Sequence, residues 1–107
     1  MDFEDTIEKM LVAARTAARG YWKDMRGYLE KEFATAKNEA AAIALEVAAG
    51  TKTPEQAEIE LQSVKDSLQD VQFAVTVEAK AAAQDAINAA LEVLRGAVNS
   101  AAKVAIF

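Results

Sequence analysis

Cysteine and histidine are both absent from this chain of 107 residues. Without cysteine there is no disulfide framework, thiol nucleophile or thiolate metal site. Without histidine the commonest general base and metal ligand is missing. Proline occurs once, glycine four times, and aromatic residues make up 7% of the chain. Uncharged runs never exceed seven residues, against the roughly 18 a helix needs to span a bilayer. The N-terminal "MDFEDTIEK" is acidic and has neither the basic nor the apolar region of a signal peptide. The sequence therefore reads as a cytoplasmic chain without an integral membrane segment.

What is present favours helix. Hydrophobic residues make up 52% of the chain, but 25 of them are alanine, which suits close helix packing better than a thick core. The net charge of −5 speaks against non-specific nucleic-acid binding. At this length one domain, 1–107, is expected.

One segment, "AAGTKTPEQAE", breaks the helical pattern decisively. Gly50 suits the position just past a helix end. Thr53 suits an N-cap, Pro54 the first helical position and Gln56 the third, which is a capping-box pattern. The expected helices are therefore about 3–49, with Asp2 as cap, and about 54–105, around a turn at 50–53. At 1.5 Å per residue each would be roughly 70 Å long.

Phe3, Ile7, Leu11, Ala14, Ala18, Trp22, Met25, Leu29, Phe33, Ala36 and Ala40 are spaced 4-4-3. That eleven-residue repeat predicts a nearly straight or slightly right-handed helix pair. The second segment carries Ala57, Leu61, Val64, Leu68, Val71 and Val75 at 3-4 spacing, then an alanine-rich continuation through Ala86, Ala90 and Val93. Folding at the turn brings residue i near residue 103 − i, so that Tyr21 and Trp22 face Ala81 to Ala83. The same register sets Arg26 near Glu78, Arg19 near Asp85 and Glu39 near Lys65. The expected fold is all-α, a long antiparallel helical hairpin with coiled-coil-like packing. A compact three- or four-helix bundle, broken at Gly20, Gly27 or Gly96, is the alternative.

"DVQFAVTVEAK", residues 70–80, alternates like a half-buried strand. It has no partner strand and no flanking turn cluster, so the expectation is continuous helix. Phe73 then lies about 200° around the axis from Val71, with Val77 one turn above it. Ile87, Leu91, Leu94 and Val98 extend this second apolar side. One neighbouring helix cannot cover both sides, and helices apolar over so much of their circumference are normally buried. The expectation is that Phe73, Val77, Ile87, Leu91, Leu94 and Val98 form an oligomer interface joining two hairpins in a four-helix bundle. The expected partner is a second copy, as homodimer or higher oligomer, beside a protein partner the sequence does not identify.

Arg15, Arg19, Lys23 and Arg26 follow helical spacing around Tyr21 and Trp22. They form a candidate patch for an anionic partner such as RNA, phosphate or an acidic protein surface. The plainer reading is a solvated face whose arginines pair across the hairpin. Gly20-Tyr21 and Gly27-Tyr28 repeat seven residues apart. Two glycines inside a helix imply close packing, mild bending or a notch for a ligand. Glu32 is the one acidic residue at a core-like repeat position, whereas a di-metal carboxylate bundle needs several inward Glu residues and Glu-x-x-His motifs. Neither a Ser-His-Asp set nor a phosphate-cradling glycine loop is present. The functional expectation is a non-enzymatic structural or protein-interaction module without cofactor or metal. An amphipathic protein that coats a membrane, lipid or polymer granule is the alternative, supported by the apolar terminus "KVAIF".

Overall fold

The computed structural model describes residues 4–107, with side-chain burial from Asp5 onward. The expected Asp2 cap and Phe3 start lie outside the described residues. Four α-helices follow one another: α1, Glu4–Ala18; α2, Trp22–Ala48; α3, Pro54–Gln69; and α4, Lys80–Ala102. No strand occurs among the described residues. Among the described residues no helix is long and apolar enough to cross a membrane.

The α2–α3 turn follows its local chemistry. Gly50 takes φ +80°, the left-handed conformation glycine adopts without steric cost. The Thr51 N–H donates to the Glu46 carbonyl at 2.9 Å and the Gly50 N–H to Val47 at 3.1 Å, a Schellman closure. Thr53 Oγ1 accepts from the Gln56 N–H at 3.2 Å, and Gln56 Oε1 accepts from the Thr53 N–H at 3.1 Å. The capping box is complete, with Pro54 at the head of α3.

The long rods do not form. The first is interrupted at Arg19–Tyr21, a 3₁₀ turn in which Arg19 takes φ +57°. Of the three candidate glycines only Gly20 lies at a break; α2 runs through Gly27 and α4 through Gly96. The second rod is interrupted over residues 70–79. There 3₁₀ turns Asp70–Ala74 and Val77–Ala79 flank Val75 (φ −103°, ψ 165°) and Thr76 (φ −65°, ψ 160°). The expected continuous helix is therefore corrected, although no strand replaces it. Val71, Val75, Thr76 and Val77 are β-branched, and such side chains lose χ1 freedom in a helix but fit extended backbone. The alternation in the sequence reports two extended residues.

In the hairpin register these breaks are offset by about two helical turns, and the chain bends at each. Helix α1 packs on α4 and α2 on α3, the pairs a hairpin requires, while α2 also packs on α4 and on α1. The long axis is 44 Å and the radius of gyration 13.7 Å. The surface of 5983 Å² for 11.5 kDa is close to the roughly 5,800 Å² of a compact monomer of that mass. The molecule is a compact helical bundle.

Helix α4 is central, and its two apolar sides are thereby explained. Ala83, Ala86 and Ala90 are fully buried along one edge of its broad inner face, and Ile87, Leu91, Leu94 and Val98 are at most 4% exposed along the other edge. Those four interface candidates belong to the chain's own core, which corrects the expectation that a second chain covers them. Alanines let α1 approach closely, and Met25, Leu29 and Phe33 of α2 supply the bulk, each fully buried. Lys103 ends α4 at φ +64°. Asn99 Oδ1 then accepts from the backbone N–H of Ile106 (2.9 Å) and Phe107 (3.0 Å), which folds the tail so that Ile106 is buried.

Candidate functional site

Two surface features stand apart from the core: the elbow at Arg19 and the crossover between α3 and α4.

At the elbow, Leu11, Val12 and Arg15 of α1 and Trp22, Arg26 and Glu30 of α2 line an open groove of about 300 Å³. The structure thus brings Arg15 and Arg26 of the basic run onto one groove; Arg19 and Lys23 do not line it. Arg26 is already engaged, its Nε donating to Glu30 Oε1 at 2.6 Å. That hydrogen bond, with the attraction of the Glu30 charge, raises the Arg26 pKa above its ordinary value. The expected cross-hairpin pairs with Glu78, Asp85 and Lys65 are not formed. Among the described residues the other ion pairs are Lys52 with Glu46 (3.2 Å) and with Glu60, and Arg95 with Glu92 (2.6 Å). The bend accounts for the loss of the two arginine pairs, because it takes α1 and the start of α2 out of one line. Glu39 instead lies beside Val64, while Lys65 lines the groove next to the tail.

Tyr21 and Tyr28 are exposed, at 42% and 52%. A Cβ built on Gly20 or Gly27 meets nothing within 4 Å, so neither glycine serves close packing. Gly20 lies within the bend, but the left-handed backbone there is that of Arg19. Trp22 is half-buried against the core. Full burial of such a side chain corresponds to about 3–5 kcal/mol on truncation. Half-burial sets the expectation for Trp22→Ala nearer 2 kcal/mol. Urea denaturation checks this, and a loss above 4 kcal/mol would mean the groove closes over the ring in solution.

The crossover carries Phe73 and Val77, exposed at 71% and 79%, the two of the expected interface that the core does not take up. Lys80 Nζ lies 5.4 Å from the Phe73 ring centre, a cation–π distance that adds little at an exposed site. An amide cluster fixes the crossover from beneath. Gln84 Nε2 donates to Gln69 Oε1 (2.7 Å) and to Asn88 Oδ1 (3.0 Å), and Gln72 Nε2 donates to the Gln69 carbonyl (3.0 Å). This clasp ties the end of α3 to α4. Sequence periodicity does not reveal it, because its members belong to different helices and none is apolar.

Glu32 is half-buried and lines shallow grooves with Ser67. Among the described residues no group of three or more Asp or Glu side chains is placed to hold a metal ion. A second groove, of about 400 Å³, lies between α3 and the tail, lined by Glu58, Lys65, Arg95 and Phe107 among others. Arg95 stacks there 6.0 Å from the Phe107 ring centre. Compared with protein-family models, curated proteins and solved structures, the chain matches none of them.

Proposed function

We propose that the chain is a non-enzymatic structural and protein-interaction module: a helical bundle that associates with a second copy through its crossover. The observation that carries this is the exposure of Phe73 and Val77, 71% and 79%, on one crossover beside an otherwise well-filled core. Contiguous exposed apolar surface marks places where proteins meet, whereas single exposed residues such as Ile59 and Leu45 need no partner. Burying the two in each of two copies is worth roughly 1.5–3 kcal/mol per side chain before ordering costs, enough for a weak dimer. The net charge of −5 does not favour a nucleic-acid partner, and Glu30 already neutralises one of the two groove arginines. Coating a membrane or granule would require α4 to give up a core that buries it on both sides.

Light scattering from micromolar to millimolar chain tests the proposal. The mass should rise from 11.5 kDa towards twice that value, and Phe73→Glu with Val77→Glu should hold it at the monomer. Concentration-independent monomer in the unaltered chain would reject self-association.

A further inference from the structure

We infer that the two breaks are hinges through which two copies exchange halves. Each chain straightens at Arg19–Tyr21 and at Val75–Thr76 and lays the face so opened on the other copy. This rests on the self-association proposed above and specifies its geometry.

Four observations converge. The 4-4-3 stripe runs in phase across the first break, through Ala14, Ala18, Trp22 and Met25, as though the helix were continuous. No side-chain N-cap holds the 3₁₀ turns at either break, and Arg19 carries the left-handed φ that an L-residue without glycine's freedom disfavours. The pairs α1–α4 and α2–α3 are those of an open hairpin, so opening separates the contacts of α2 with α1 and α4 and the smaller contact of α3 with α4. An identical chain can remake those contacts, which is the logic of domain swapping. Lastly, a straightened helix would carry Phe73 and Val77, at 3–4 spacing through Lys80 and Gln84, into line with Ile87 and Leu91. Side chains exposed in the closed chain would then join the covered face. A second copy is the occupant because the closed molecule already shows the opened face packed against this chain's own other half. Opposing this is the amide clasp, since Gln69 and Gln84 would stand about 22 Å apart in a straight helix. Exchange therefore requires the clasp to open.

The chain has no cysteine, so Asp5→Cys with Ala49→Cys, both exposed, admits a pair of spin labels. The labelled chain is mixed with excess unlabelled chain, incubated at high concentration, and the dimer is isolated for pulsed-dipolar distance measurement. Exchange predicts a separation of about 66 Å within the labelled chain, beyond the 44 Å long axis of the closed molecule. Thr76→Pro should keep the compact monomer and abolish the long distance. Thr76 already has φ −65° and Val75 the extended conformation a following proline requires. Arg19→Gly should weaken dimerisation about tenfold or more, because glycine accepts the closed conformation freely and disfavours the straight helix. A dimer showing only short distances, or a Thr76→Pro chain that dimerises like the parent, would overturn exchange while leaving self-association standing. A chain monomeric at every concentration would overturn both.

Discussion

Replacing Phe33 by alanine should lower the free energy of unfolding by about 3–5 kcal/mol, a large share of the stability of so small a domain. Phe33 is fully buried in α2, the helix that packs on α1, α3 and α4. Alanine makes up much of the core to which Phe33 belongs, including Ala36, Ala40 and Ala83. Such side chains have no rotamers with which to fill a void, so the cavity persists and its full cost is felt. The midpoint of urea denaturation should fall with an unchanged slope. A loss under 1 kcal/mol would mean that Phe33 is not in the core.

The second large effect separates residues that one periodic strip had grouped together. Leu94→Glu should abolish folding, whereas Phe73→Glu should leave monomer stability within about 1 kcal/mol of the parent. Leu94 is fully buried and Phe73 is 71% exposed. A carboxylate at Leu94 would have to be desolvated without a partner, at a cost of several kcal/mol against a total stability of about 5–15 kcal/mol. At Phe73 it would stand in water beside Lys80. Circular dichroism and thermal denaturation distinguish the two. Equal damage from both would mean that the crossover is packed inside the molecule.

Local chemistry was legible where one residue dictates one geometry. Gly50, Thr53, Pro54 and Gln56 specify the turn because each satisfies a particular backbone group at a helix end. The two apolar sides of α4 were also legible, and with them the need for more than one neighbouring helix. What periodicity does not carry is whether those neighbours come from the same chain. The bend at Arg19 leaves the stripe in phase, so Ala18 and Trp22 keep helical spacing whether the chain is straight or folded back. At 70–79, β-branching weakens the helix without forbidding it, and packing against the core decides. Ile87, Leu91, Leu94 and Val98, expected at an interface between two copies, are buried by helices of the same chain. Phe73 and Val77 are the pair left at the surface, although the crossover that carries them is not the continuous helix from which the sequence pattern places them there.

One chain, bent at two breaks, completes its own bundle. Small-angle X-ray scattering on the monomer peak of a size-exclusion column tests it most directly. The bent chain predicts a radius of gyration near the 13.7 Å of the folded backbone, enlarged only by side chains and hydration. An unbroken hairpin about 70 Å long would give about 20 Å, and a monomer of that size would contradict the account.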